Sequence, residues 1–84
     1  MQGKRRDLDN EYLVMEQPGE YGKNQADQWF MRVPASGFGM GSLANHEVIE
    51  HEDGTITVSP SILCTGHFGK QWHGYLERGV WREV

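Results

Sequence analysis

From Gln28 onward, apolar and polar residues alternate in short runs, each closed by glycine, proline or aspartate, the period-2 signature of short strands. Trp29, Met31 and Val33 alternate with Phe30 and Arg32, which predicts a strand with a mostly apolar pleat, stopped by Pro34. Asp53-Gly54 lies between two strand-like runs and predicts a two-residue type I′ hairpin. In that register Glu52 faces Thr55, His51 faces Ile56, Glu50 faces Thr57 and Ile49 faces Val58. Ile49, His51, Ile56 and Val58 then share one face. A second hairpin is predicted at Arg78-Gly79, with Leu76 opposite Trp81 and Tyr75 opposite Arg82. Trp72, Gly74, Leu76 and Trp81 line one of its faces, with Gly74 leaving room for a large ring from a neighbouring strand. His73, Tyr75 and Arg82 line the other. Pro60 is expected to end the strand at Val58. No stretch of helical length repeats its apolar residues at i, i+3, i+4. The expectation is a mainly β fold, a compact small domain of five or six short antiparallel strands.

Before Gln28 the chain changes character. Residues 1–27 hold 10 charged residues, as many as the remaining 57. They open with Lys4-Arg5-Arg6 and continue with Asp7, Asp9 and Glu11, a segment expected to be mobile unless docked. Only Tyr12-Leu13-Val14-Met15 reads as a strand there, ended by Pro18-Gly19. The division is therefore a charged N-terminal segment, 1–27, and a small β domain, 28–84.

Composition narrows the function classes. Leu, Val, Ile and Phe supply 17 of 84 residues, while aromatics reach 11%, so the core leans on Trp29, Phe30, Phe38, Trp72, Leu76 and Trp81. A chain this short hides only about 60% of the surface its unfolded form exposes, which argues against a large enclosed active site and against an enzyme. No apolar stretch is long enough to span a membrane and the N-terminus does not read as a secretory signal. The single Cys64 excludes an intrachain disulfide, and a reducing, cytoplasmic setting is the expectation. Eight Lys and Arg against 12 Asp and Glu disfavour direct nucleic-acid binding, which depends on phosphate neutralisation. A net charge of −4 suits a protein partner with a basic surface.

Candidate chemistry is confined to a few residues. All four histidines lie between His46 and His73, together with Cys64. Cys64-x2-His67-x5-His73 has the close first pair that zinc sites use, and a fourth ligand could come from His46 or His51. These two are an odd number of residues apart and point to opposite faces of a regular strand, and His51, beside the apolar set, is the better candidate. The alternative is an inert buried thiol with histidines that are hydrogen-bonded or at the surface. A Cys64/His nucleophilic pair would need an orienting group and an oxyanion hole. The acidic run Glu47, Glu50, Glu52, Asp53 fits no EF-hand loop and reads as a solvated hairpin end. The alternate glycines of Ser36-Gly37-Phe38-Gly39-Met40-Gly41 form either an anion cradle or a tight turn with Phe38 and Met40 tucked inward. The turn is the better reading, and no P-loop or Rossmann spacing is present.

Asp53-Gly54-Thr55-Ile56-Thr57-Val58-Ser59-Pro60-Ser61-Ile62, then Trp72-His73-Gly74-Tyr75-Leu76 and Gly79-Val80-Trp81, resemble a family of small uncharacterised proteins common in phages and prophages. The resemblance covers roughly residues 29–83. Where many members carry Cys-x-Cys-Gly, this chain has Ala35-Ser36-Gly37-Phe38-Gly39, so a zinc site in those relatives would here be lost or replaced through Cys64 and His67. The resemblance implies a phage-type accessory origin, and the expected function is non-enzymatic protein–protein contact in the bacterial cytoplasm, as an accessory factor or as an inhibitor of a host or defence protein. Tyr75, Arg82 and Trp29 are the expected partner-binding anchors. The alternative is a small domain with a structural zinc on Cys64, His67, His73 and His51.

Overall fold

The computed structural model describes residues 1–8, 15 and 17–84. Eight short strands are present among them: β1 (Lys4–Arg5), β2 (Glu20–Lys23), β3 (Trp29–Met31), β4 (Gly41–Ser42), β5 (Glu47–Glu50), β6 (Ile56–Thr65), β7 (Gln71–Glu77) and β8 (Val80–Glu83). The only helical piece among them is a 3₁₀ turn, His67–Gly69, between β6 and β7. The fold is mainly β, as the alternation indicates. Strands β1-β2-β3-β4 form one sheet and β5-β6-β7-β8 the other. All pairings are antiparallel except β1 with β2.

The late hairpin has the register the sequence predicts. Leu76 pairs with Trp81 and Tyr75 with Arg82, and Arg78 and Gly79 both have positive φ (46° and 77°), the type I′ geometry. Trp72, Leu76 and Trp81 are buried, and the two indoles meet edge to face with centroids 5.5 Å apart. Gly74 makes room for the Arg82 carbonyl of β8 and for Trp72 of its own strand rather than for a neighbour's ring: a Cβ there would clash with the Arg82 carbonyl oxygen and lie 2.5 Å from the Trp72 indole.

The first hairpin differs by one residue from expectation. Glu50 pairs with Ile56, Ile49 with Thr57 and Val48 with Val58. The Gly54 N–H donates to His51 O at 3.0 Å and the His51 N–H to Thr55 O at 2.8 Å, so the loop is the three residues Glu52-Asp53-Gly54. Gly54 has φ 87° while Asp53 is not among the positive-φ residues, which describes a type I turn followed by a glycine bulge instead of type I′. The Asp53 carboxylate supports it by accepting from the Thr55 N–H at 3.0 Å and the Thr55 hydroxyl at 2.6 Å. A slip of one residue exchanges faces: Val48 packs against the core with Ile56 and Val58, whereas Ile49 is exposed and His51 turns outward to Thr57.

Pro60 does not end its strand. β6 runs through it, with a cis Ser59-Pro60 bond, because the register shifts between Val58, opposite Leu76, and Ile62, opposite Gly74. Ser59, Pro60 and Ser61 thus face the single Tyr75, a bulge that accommodates a residue lacking an N–H.

The boundary expected at residue 28 is not a packing boundary. β2 pairs with β3, and Tyr21, from the charged segment, is in the core with Met31, Val33, Phe38, Leu43, Ile56 and the indoles. The burial raises the Tyr21 hydroxyl pKa. Residues 12–14 of the strand expected at Tyr12–Met15 lie outside the described residues, while Met15 is buried. Phe38 is buried as predicted, but Phe30 is only half-buried and outside the core cluster.

Residues 2–5 join the two sheets: Gln2 bridges Val80 of β8, and Lys4–Arg5 pair with β2. A charged cluster adds a second tie. Arg5 donates to Asp7 Oδ1 at 3.0 Å, to Glu50 Oε2 at 2.6 Å and to Gly54 O at 2.9 Å, and Lys23 Nζ lies 3.6 Å from Glu50. Both cations also sit over the Trp29 ring, 5.2 and 5.7 Å from its centroid.

Trp81→Phe, which deletes the buried N–H donated to Gly19 O at 2.9 Å, is expected to cost about 2–3 kcal/mol in urea denaturation. Gly74→Ala is expected to destabilise comparably, by overpacking against the Arg82 carbonyl and the Trp72 indole. The charged cluster predicts a pH effect. The Arg5 hydrogen bond holds the Glu50 carboxyl below its ordinary range; burial works to raise Asp7, but bonds from Arg5 and the Lys23 N–H outweigh it. Lowered folded values mean that this stabilisation is complete above about pH 5, where both carboxyls are ionised in the unfolded chain too, and fades as pH falls through the folded values. The stability difference between the native chain and Arg5→Ala should therefore narrow in acid denaturant titrations; a difference independent of pH would contradict it.

Candidate functional site

Strand alternation assigns the candidate metal ligands to different directions. Cys64 is on the inner side of β6, packed against the core, and burial raises its thiol pKa, the opposite of an activated or metal-ready thiolate. His73, opposite Leu63, is on the outer face of the same sheet, where its Nε2 meets Ser61 Oγ at 2.8 Å. His51 also faces outward, its Nε2 2.7 Å from Thr57 Oγ1. His67 is exposed in the 3₁₀ turn. Among the described residues no three His, Cys, Asp or Glu side chains are grouped for a metal ion. The expected quartet Cys64, His67, His73 and His51 is thus not brought together.

The acidic run is committed to structure in part: Glu50 to Arg5 and Asp53 to Thr55. Thr55 holds the Asp53 carboxyl below its ordinary range.

The three expected partner anchors are also divided. Tyr75 and Arg82 are cross-strand neighbours on the outer face of the β5–β8 sheet, with the guanidinium 4.9 Å from the phenol centroid and 2.7 Å from Glu77 Oε1. That ion pair raises the already high Arg82 pKa. Trp29 is in the other sheet, half-buried under Arg5 and Lys23.

What surrounds Tyr75 and Arg82 was not evident from their spacing alone. Leu63 and Val84 flank His73 in one cross-strand row, joined through Leu63–His73 pairing and the Val84 N–H bond to His73 O. Both side chains are well exposed, at 62% and 73%. Ile49 and Val80 are exposed on the same face. Hydroxyls of Thr57 and Ser61 fill the space between them, each engaged by a histidine. Of the formal charges on this face, Glu77 and Arg82 pair with each other and Glu47 is exposed at its β5 margin, leaving a centre of apolar side chains, hydroxyls and one aromatic–guanidinium stack.

Phe68 stands at the end of this sheet, in the turn that joins β6 to β7. Its side chain is 104% exposed relative to a free reference, and its φ is 58°, a left-handed conformation that bulky side chains rarely adopt. The sequence signal is a phenylalanine enclosed by small or polar neighbours, Gly66-His67-Phe68-Gly69; an aromatic in such a run has no strand to bury it.

With its would-be ligands facing different ways, the chain is expected to melt at the same temperature with and without a chelator; stoichiometric zinc whose removal unfolds the protein would overturn this. None of the comparisons identifies a relative: no family model, no curated protein and no solved structure matches the chain.

Proposed function

We propose that this chain is a non-enzymatic protein-interaction domain that docks through the outer face of the β5–β8 sheet and the Phe68 turn. In this reading it is an accessory protein of the phage or prophage type that its Ser59-Pro60-Ser61 strand and His73 hairpin resemble, acting in the bacterial cytoplasm on a host or defence protein. The observation that carries it is Phe68. Holding a phenylalanine at φ 58° costs about 1–2 kcal/mol, and its full exposure returns nothing to folding. A partner pocket closing over the ring would recover that cost, the role of a buried aromatic anchor at an interface. The Tyr75–Arg82 stack supplies a second anchor of the residue types enriched at such sites, and Leu63 and Val84 supply apolar area around them. The partner surface this arrangement fits is flat and apolar at its centre, with a cavity for one aromatic ring.

Phe68→Asn tests the reading, because asparagine tolerates the left-handed conformation. The variant is expected to be as stable as the native chain, or more stable by about 1 kcal/mol. A bacterial protein retained by the immobilised native chain should be lost with Phe68→Asn and weakened with Tyr75→Ala. If the same proteins are retained by all three, or if Phe68→Asn unfolds the domain, the proposal fails.

A further inference from the structure

The two sheets, joined through residues 2–5, leave β4 and β5 as the strands at the two far ends of the series. Between them is a cleft of about 340 Å³, lined among others by Asp27, Gln28, Trp29, Leu43, His46 and Val48. That volume is at the low end of small-molecule sites and suits one or two peptide side chains.

The wall formed by β5 has main-chain groups that pair with no other strand among the described residues. The bond from the His51 N–H to Thr55 O sets the antiparallel ladder: His51, Ile49 and Glu47 exchange bonds with Thr55, Thr57 and Ser59, so the N–H and C=O groups of Val48 and Glu50 point away from β6. Among the described residues, β5 has no strand on that side. One more group is unsatisfied. His46 Nδ1 is the only buried side-chain nitrogen or oxygen without a hydrogen-bond partner among the described residues, although its Nε2 reaches Ser61 O at 3.3 Å. Buried polar atoms rarely stay unpaired, and this one belongs to a residue lining the cleft.

Charge selects the occupant. Within residues 47–53 there are four carboxylates, Glu47, Glu50, Glu52 and Asp53. Glu50 is paired with Arg5 and Lys23, but Glu47 is exposed and on the outer side of the strand. A second copy of the chain would bring this acidic edge against itself, and like charges across a strand pair are destabilising. A basic strand would meet the opposite condition.

We propose that the β5 edge and its cleft bind an extended basic peptide segment of a partner protein by strand addition. The segment exchanges main-chain hydrogen bonds with Val48 and Glu50, sets a lysine or arginine against Glu47, and inserts the alternate apolar side chain between Trp29, Leu43 and Val48. This site uses none of the residues that define the Phe68 surface, so each can fail without the other.

Two heptapeptides, one alternating lysine with valine and the other glutamate with valine, serve as probes for the full chain. Main-chain amide resonances of residues 47–50 and the Trp29 indole resonance should shift with the lysine peptide. Its affinity should exceed that of the glutamate peptide by about tenfold, as one to two cross-strand charge pairs imply, and Glu47→Lys should remove the preference. Val48→Pro, which deletes an outward N–H and leaves the β6 ladder intact, should abolish binding; Glu47→Lys keeps the test decisive if that variant fails to fold. Equal affinity for both peptides, shifts confined to Leu63, Tyr75 and Phe68, or dimerisation through β5 in sedimentation experiments would each overturn the proposal. Phe68→Asn should leave lysine-peptide binding unchanged.

Discussion

The Trp81 side chain is where the two sheets are held in contact. Its indole is buried, meets Trp72 edge to face, and donates its N–H to the carbonyl of Gly19 at the head of β2. The backbone of the same residue receives Met1 O as an acceptor for its N–H, and Gly3 leaves the space in which the indole nitrogen fits. One residue thus fills the core, satisfies a buried donor and fixes the path of the N-terminal segment. A small domain with few aliphatics obtains more apolar area from each aromatic than from any other residue type, and here the polar handle of the indole sets sheet orientation as well.

The charged N-terminal segment has its place because of that geometry. Once residues 2–5 bridge β8 and β2, Arg5 and Lys23 are brought over Trp29 and against Glu50. These cations are distant in sequence from Glu50, and their pairing is partly exposed, so its energetic weight is modest. Its architectural role is larger, since it places the first hairpin beside the opposite sheet and leaves a cleft, and not a continuous ladder, between β4 and β5.

Both proposed surfaces arise from what the core does not need. β6 and β7 alternate, so burying Ile62, Trp72 and Leu76 obliges Leu63, His73 and Tyr75 to face out. Phe68 has no such obligation from a strand and is exposed through the turn alone. The cleft exists because β5 is an edge among the described residues, its inner side occupied by Val48 while the N–H and C=O groups of Val48 and Glu50 point away from β6.

Local pattern was enough for some of this protein. Period-2 alternation and the Arg78-Gly79 dipeptide determined the strand class, the late hairpin, its register and the burial of Trp72, Leu76 and Trp81, because a two-residue turn leaves one register and one inner face. The first hairpin was less determined: Asp53-Gly54 is compatible with a type I′ turn or with a type I turn and bulge, and a difference of one residue exchanged the faces of Ile49 and His51. Pro60 read locally as a stop, yet a bulge absorbs it. The candidate zinc ligands were near one another in sequence but separated by alternation and by the core position of Cys64. Only tertiary structure decided that Tyr21 belongs to the core, that Trp29 and Tyr75 lie in different sheets, and that an edge and a cleft lie side by side. Each depends on contacts between residues far apart in the chain, whose energies no local run of residues encodes.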